Sequence, residues 1–160
     1  MLKRFSIISA LFILPLILLH SAVTSGEEQK MQVKGPINIT SETLTSDNKA
    51  HTALFEGKVV AKTTDMTIYS DKMLVFYREG SGDVTKIEVT GNVRLLKSGR
   101  LITSRVATYY ADEDKVVFTG EPRAEDGENV VTGETMTYYI AQDRSYVEKS
   151  RVFLKNKKDK

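Results

Sequence analysis

The sequence predicts an all-β protein, and three observations carry that prediction. After residue 26, β-branched and aromatic residues alternate with polar ones, as in "KVVAKTTDMTIYS" and "DKVVFTGEPRA". No apolar stripe at helical spacing persists for a dozen residues, which argues against amphipathic helices. Polar turn sequences separate the alternating runs at 78–83, 97–100, 111–114 and 124–129. We therefore expect many short antiparallel strands joined by tight turns.

The first 25 residues predict a cleavable signal peptide. Lys3 and Arg4 precede an uncharged, largely apolar run from Phe5 to Leu19, and the small-residue segment "SAVTSG" follows. This order is typical of secretory signals. The apolar run is also shorter than the roughly 20 residues that a membrane-spanning helix needs. An uncleaved N-terminal anchor is the alternative. We expect a signal peptide at 1–25, one β-domain at 26–154 and a flexible basic tail at 155–160.

The charge and composition of the remaining chain exclude several classes of function. Cleavage would remove two basic residues and no acid, which leaves 21 basic against 21 acidic side chains. A neutral chain lacks the concentrated basic surface that nucleic acid requires. His51 would be the last histidine, and the chain has no cysteine. Too few histidine and cysteine side chains therefore remain to build a histidine-rich metal centre or a nucleophilic triad. We predict no enzyme, with no catalytic residue, metal or cofactor.

The strands belong to an internal repeat of about thirty residues. Segments 69–77, 102–110 and 131–139 superimpose without gaps, at offsets of 33 and 29 between their final tyrosines. A strand of similar shape precedes each of them, at 54–61, 88–95 and 117–124. Segment 39–47 matches the front half of the repeat, and 146–154 is a last copy without its glycine. Such a repeat stacks its units so that each covers the apolar edge of the next.

Glycines at matched positions predict sharp corners in the strands. Gly57, Gly91 and Gly120 occupy the same place in the three copies, and glycine permits the positive φ or the bulge that a bend requires. Asp71, Ser104 and Gly133 lie about a dozen residues later and predict a second set of corners. The expected architecture is an elongated β-structure, either a solenoid or a folded pair of sheets.

One face of every strand is predicted to be apolar, because alternate positions around the corners are hydrophobic. The first strands of the copies give Ala53, Phe55, Val59, Ala61, Ile87, Val89, Val93, Leu95, Val116, Phe118, Pro122 and Ala124. The other strands give Ile37, Ile39, Leu74, Phe76, Ala107, Tyr109, Met136 and Tyr138. This face is either a closed core or a groove for an apolar ligand. Periodicity alone leaves both interpretations open.

Several short motifs, in a fixed order, resemble a known family. They are "PINITS" at 36–41, "FEGKV" at 55–59, "SDKM" at 70–73, and the corners within "VTGNVRL" and "FTGEPRA". Over about residues 34–154, the chain is similar to the OstA-like domain. More narrowly, it resembles the LptA family of periplasmic lipopolysaccharide-transport proteins.

The resemblance implies a fold and a function. The fold would be an elongated, twisted β-jellyroll with open ends, a V-shaped "β-taco" of antiparallel strands. Its apolar interior would shield lipid A acyl chains during transport from the inner to the outer membrane. Copies would associate head to tail by edge-strand pairing, between LptC-like inner-membrane and LptD-like outer-membrane partners in the periplasm.

The resemblance places Ile37, Ile39 and Tyr109 on the lipid path. The complete predicted groove is Ile37, Ile39, Leu44, Phe55, Val59, Leu74, Phe76, Val89, Val93, Leu95, Ala107, Tyr109, Phe118, Met136 and Tyr138. Two other functions stay open. One is an LptC-like, membrane-anchored relay component, and the other is a structural β-repeat scaffold that binds no ligand.

Overall fold

The computed structural model describes residues 36–155. The predicted signal peptide, the start of the domain, and the tail beyond residue 155 lie outside the described residues. Within them, no helix is long and apolar enough to cross a membrane. The strands are β1 Asn38–Thr40, β2 Thr43–Asp47, β3 Thr52–Lys62, β4 Met66–Tyr77, β5 Val84–Lys97, β6 Arg100–Tyr110, β7 Lys115–Thr119, β8 Arg123–Asp126, β9 Asn129–Thr132, β10 Thr135–Tyr139, β11 Arg144–Glu148 and β12 Arg151–Phe153.

The strands form one antiparallel sheet that is bent into two halves. Half-sheet A has the strand order β2-β3-β4-β5-β6-β7-β10-β11, and half-sheet B has the order β1-β3-β4-β5-β6-β8-β9-β12. The long strands β3 to β6 run through the bend and belong to both halves. Because residues from both halves share one buried apolar cluster, the halves pack face to face. The predicted all-β fold, an open-ended bent jellyroll, is confirmed.

The bend follows a row of corners. Gly57, Gly91 and Gly120 have φ of 81°, 77° and 74°, in the left-handed region that favours glycine. Each is followed by a residue that also has positive φ, and the ladder register shifts beside the first two. A Cβ at these glycines would overlap a side chain of the neighbouring strand, namely Glu42, Asp71 or Arg105 respectively.

The corners are also joined by side chains. Lys58 Nζ lies 2.8 Å from Glu42 Oε1, and Arg105 Nη2 lies 2.6 Å from Glu121 Oε2. Asn92 Nδ2 donates to Asp71 Oδ2 at 2.8 Å. Each corner therefore combines a left-handed pair of residues with a polar bond to the next strand.

A fourth corner forms without glycine, in the degenerate last copy of the repeat. Lys149 has φ of 48°, and its Nζ lies 2.5 Å from Glu134 Oε2. The Glu134 N–H donates to the Glu148 carbonyl at 3.0 Å, as the Arg105 N–H donates to the Gly120 carbonyl at 3.1 Å. The repeat thus continues to the last described strands.

The second set of corners lies where the sequence predicted it, because β4 passes from one half to the other at Asp71, β6 does so beside Ser104, and Gly133 separates β9 from β10. These residues do not have positive φ. Asp71, Arg105 and Glu134 instead face the glycine-type corners across the ladder. Gly133 has a different role, because a Cβ there would lie 2.6 Å from the Glu148 carbonyl oxygen. Its absence of a side chain lets β11 approach closely.

Candidate functional site

A continuous apolar row crosses half-sheet A on its inner face. Residues directly paired in an antiparallel ladder project to the same face of the sheet. Following the register from strand to strand gives row A, which is Leu44, Phe55, Met73, Val89, Ala107, Phe118, Met136 and Val147. All eight strands contribute an apolar residue. No polar side chain interrupts the row.

A second row crosses half-sheet B in the same manner. Row B consists of Ile39, Ala61, Ile68, Leu95, Ile102, Ala124, Val131 and Val152. The middle of both rows is buried, as Phe118 at 0% and Leu95 at 2% exposure illustrate. One end of each row is exposed, Leu44 at 59% in row A and Val152 at 52% in row B, whereas the opposite ends, Val147 and Ile39, are partly buried. The interior is therefore an apolar strip that reaches solvent at β2 through row A and at β12 through row B.

The interior is largely filled, and two cavities remain between the halves. One, of about 160 Å³, lies beside the free ends of β5 and β10 and is lined by Leu95, Lys97, Arg100, Ile102, Ala124, Val131, Tyr138 and Asp143. The other, of about 40 Å³, is lined by Met73, Val89 and Phe118 from half-sheet A and by Ala61 and Leu95 from half-sheet B. The smaller cavity holds a few water-sized atoms at most. The side chains therefore pack on one another in this conformation.

Most of the predicted groove residues lie on this inner face. Those that are buried are Val59, Val89, Val93, Leu95, Ala107, Phe118, Met136 and Tyr138. Those that are partly buried against the core are Ile39, Phe55 and Tyr109. Ile37 is 38% exposed but lines the cavity, and Leu44 ends row A. Contact of any of them with a lipid stays a prediction.

The placement of Leu74 and Phe76 on the inner face is wrong. Leu74 pairs with Glu88, and Phe76 pairs with Lys86, whose Nζ lies 4.1 Å from the Phe76 ring centroid on the outer face. Their neighbours Met73 and Val75 are each only 1% exposed and face inward.

A one-residue difference between the copies explains the error. Asp71 and Tyr77 are six positions apart, whereas Arg105 and Tyr110 are five apart. Aligning the final tyrosines without a gap therefore shifted β4 by one residue. A shift of one residue reverses every side chain of a strand.

Several inner residues were missed by the sequence reasoning. Met66, Ile68 and Ile102 come before the second corner of their copies, and Val131, Val147 and Val152 lie in the last two copies. Their apolar alternation was visible, as in "MTIYS". Extending the alternation through each complete strand would have found them.

A cluster of polar side chains lies at the open side of the bend, away from the corners. Tyr138 accepts a hydrogen bond from Lys97 Nζ at 2.8 Å and donates one to Asp143 Oδ1 at 2.8 Å. Arg100 Nη1 donates to the same Asp143 oxygen at 3.3 Å. Nothing in the local sequence signals this cluster, because its members come from two hairpins, β5–β6 and β10–β11, that are about forty residues apart.

The cluster changes the acidity of its members. The hydrogen bond from Tyr138, followed by the charges of Arg100 and Lys97, lowers the pKa of Asp143 despite some opposing desolvation. Burial acts to lower the pKa of Lys97, but its bond to Tyr138 and the nearby carboxylates raise it overall. Burial raises the pKa of Tyr138. At neutral pH the cluster therefore holds an ammonium, a neutral phenol and a carboxylate.

A related tyrosine–aspartate pair occurs one repeat earlier. Tyr109 Oη donates to Asp114 Oδ1 at 3.4 Å, five residues apart, like Tyr138 and Asp143. Burial, with the charge of Asp114, raises the pKa of Tyr109 to about 12. Burial also raises the pKa of Asp114, whose second oxygen has no hydrogen-bond partner. Both members of this pair lie in half-sheet A, and the charge of Lys97 from half-sheet B opposes the rise in the pKa of Asp114.

The fold and its site define a class of protein. Within residues 36–155, it is an open-ended β-jellyroll with an apolar interior and unpaired strand edges at both ends. The chain belongs to the LptA/LptD N-terminal domain family of LPS transport proteins, whose sequence profile matches residues 38–144. That family is defined by transport and not by an enzymatic reaction.

Among solved structures, the chain is similar to LptH from Pseudomonas aeruginosa. That protein is described as the LptA homologous periplasmic component of the lipopolysaccharide transport device. The match has a TM-score of 0.69 at 11% sequence identity and covers 78% of this chain and 99% of LptH. At that identity, the likeness supports the fold alone. No curated protein matches the chain.

Proposed function

We propose that the chain is a periplasmic bridge protein that carries lipopolysaccharide between the inner and outer membranes. The family match supports the transport role. The observation that carries the proposal is the pair of uninterrupted apolar rows, which cross all eight strands of each half-sheet and each end at one exposed residue, Leu44 in row A and Val152 in row B. A closed core needs no apolar residues at its solvent-exposed ends, whereas a conduit that continues into a neighbouring subunit does.

The acyl chains of the lipid would lie between rows A and B. Each methylene removed from water contributes about 0.8 kcal/mol, so a bound chain would not escape unaided. Equivalent apolar positions at each strand would let it move along the rows in small steps. Because the rows are passive, an energised partner must supply the direction.

The half-sheets must separate for a lipid to enter. The present cavities, of about 40 and about 160 Å³, are too small for a complete acyl chain. The strand ladders need not break, because each corner that joins the halves consists of one or two left-handed residues between two stretches of ladder. We expect the lipid to replace contacts between row A and row B with contacts to its own methylenes.

Free strand edges support head-to-tail assembly of the proposed bridge. Within residues 36–155, β1 and β2 pair only with β3, β11 pairs only with β10, and β12 pairs only with β9. Exposed edges with unpaired backbone groups are ready templates for strand addition. Strands β11 and β12 of one copy would pair with β1 and β2 of the next. At the two ends of the assembled bridge, the same strand edges would pair with LptC-like and LptD-like partners.

Site-specific photocrosslinking tests the proposed lipid path. We expect a crosslinker at Ile39, Met73 or Tyr109 to capture lipopolysaccharide in cells. Matched positions on the outer face of the same strands are Phe76 and Thr108, and these should capture none. Capture at the outer positions with none at the inner ones would overturn the proposal.

A scaffold that binds no ligand is the second candidate, and the tight interior favours it. Phe118 and Met136 are 0% and 1% exposed, as in an ordinary core. Such a scaffold would self-associate but would not bind purified lipid A. Thermal unfolding distinguishes the two functions, because a ligand that binds the folded state raises the Tm. Sequencing the N-terminus of the exported protein would separately decide the anchored, LptC-like alternative.

A further inference from the structure

Four side chains join the two half-sheets on the side opposite the corners. Lys97 ends β5 and Arg100 begins β6, so both lie at the margin of half-sheet B. Tyr138 lies near the end of β10, and Asp143 follows it in the turn before β11, at the margin of half-sheet A. Lys97 to Tyr138, at 2.8 Å, and Arg100 to Asp143, at 3.3 Å, therefore cross from one margin to the other.

The side of the bend opposite the corners is the open margin. Among residues 36–155, this cluster supplies the side-chain hydrogen bonds that cross it. The other ion pairs near the margins stay within one half, as Arg78 to Asp112 does in half-sheet A. The corner bonds lie on the opposite side. Separation of the halves about the corners must therefore break the bonds from Lys97 and Arg100.

The surroundings strengthen the bond between Lys97 and Tyr138, whereas the pair of Arg100 and Asp143 is exposed to solvent, at 52% and 61%. The Lys97 side chain is 19% exposed and Tyr138 is 5% exposed. Hydrogen bonds from a charged donor are stronger than neutral ones, and limited access of water strengthens them further. The Tyr138 hydroxyl serves both charges at once, as acceptor from Lys97 and donor to Asp143.

Both cations keep a partner when the margin opens. Asp65 Oδ2 lies 3.6 Å from Lys97 Nζ, and Asp126 Oδ2 lies 3.4 Å from Arg100 Nε. Both carboxylates belong to half-sheet B and would move with the cations. Opening therefore leaves no unpaired buried cation, which lowers its free-energy cost and makes it reversible.

We propose that Lys97, Arg100, Tyr138 and Asp143 form a latch that holds the interior shut and that its release controls entry of an acyl chain. The first part stands on the geometry alone. The second part, entry of an acyl chain, rests on the proposed function.

The latch can be tested without lipid, by the reactivity of a buried thiol. The natural chain has no cysteine, so Val89→Cys, in the middle of row A, places a single reporter in the interior. In that background, Tyr138→Phe removes only the shared hydroxyl, and Lys97→Met keeps the aliphatic stem while removing the charge. The matched control is Lys86→Met on the same strand, because the Lys86 ammonium pairs with Glu88 within half-sheet A.

We expect Tyr138→Phe and Lys97→Met to speed thiol labelling about tenfold, in line with loss of a charged hydrogen bond. Lys86→Met should change the rate less than about twofold. Opening of the margin exposes less surface than unfolding, so labelling should depend weakly on urea. Equal rates in Lys97→Met and Lys86→Met would overturn the latch. So would an acceleration with the full urea dependence of global unfolding.

A second measurement separates the latch from the proposed function. The rate of lipopolysaccharide uptake is measured for the wild type and for the same variants without the reporter. Faster uptake by Tyr138→Phe supports control of entry, and unchanged uptake together with faster labelling contradicts it. If no variant binds lipopolysaccharide but labelling is still faster, the proposed function fails while the latch stands.

Discussion

At each corner of the sheet, one or two residues in the left-handed region set the place where the strand bends. Glycine permits this conformation at three corners, and the space of its missing side chain holds Glu42, Asp71 or Arg105 from the next strand. The fourth corner uses Lys149 and compensates with an ion pair to Glu134. Every corner thus requires the left-handed backbone conformation, which glycine usually adopts but which another residue can also adopt.

Replacement of a corner glycine by alanine should destabilise the protein for two separable reasons. Gly80, in the turn between β4 and β5, is the comparison, because no atom lies near its Cβ position. Gly80→Ala therefore carries only the cost of positive φ, and we expect it to lower the free energy of unfolding by about 1 kcal/mol. Gly91→Ala adds a clash with the Asp71 side chain, for about 2–3 kcal/mol in total. Urea unfolding measures both. Equal losses would show that contact with Asp71 has no role.

The stability contributed by Asp143 should decrease at low pH. Its pKa is lowered in the folded protein, chiefly by the hydrogen bond from Tyr138 and then by the charges of Arg100 and Lys97. A carboxyl with a lowered pKa stabilises the fold above its unfolded pKa of about 3.9 and loses that contribution as pH falls through the folded value.

Asp143→Asn should therefore lower the Tm equally at pH 7 and pH 5. The difference from wild type should begin to shrink as pH falls below about 3.9 and should vanish only below the lowered pKa of the folded protein. Asparagine accepts the φ of 45° at this position, so backbone strain does not confuse the comparison. Thermal unfolding at several pH values checks it. A difference that persists unchanged at low pH would contradict the role of the charge.

At the scale of the element, each strand is defined by which of its two faces is buried. The alternation in β5, β7 and β10 predicts the correct face, with Val89, Phe118 and Met136 inward. In β4 the local sequence "MLVF" is apolar at every position, so alternation gives no direction. The face of β4 is decided by its ladder with β5, where Met73 pairs with Val89.

Alanine substitutions at adjacent positions of β4 test this assignment. Met73→Ala should cost about 2–5 kcal/mol, because it opens a cavity in row A. Leu74→Ala, on the partly exposed outer face, should cost about 1 kcal/mol or less. Urea unfolding of the two variants measures the difference. The opposite order would return Leu74 to the inner face and shift the register of the whole strand.

At the scale of the whole molecule, the two edges of the sheet matter more for association with another chain than its middle does. The edge strands carry exposed apolar side chains, including Leu44 at one end and Tyr146, Val152 and Phe153 at the other. An edge strand of this kind favours pairing with another chain unless a charge blocks it. The apolar rows would then continue from one copy into the next.

Val152→Glu should weaken self-association at least tenfold, because it places a charge in row B at the C-terminal edge. Leu96→Glu is the control, since Leu96 is 42% exposed but lies on a central strand. Sedimentation velocity over a range of concentrations measures both variants. Equal association by the two would exclude the β12 edge from the interface.

The sequence by itself determined the all-β class, the repeat, the glycine corners and most of the inner face, because these follow from local periodicity and from the φ that glycine permits. The tertiary structure decided what depends on distant residues. It fixed the face of β4 through strand pairing, and it decided how closely the two halves pack. It also brought Lys97 and Arg100 against Tyr138 and Asp143. Those contacts join residues about forty positions apart, and no local pattern encodes a bond that exists only after the sheet has bent.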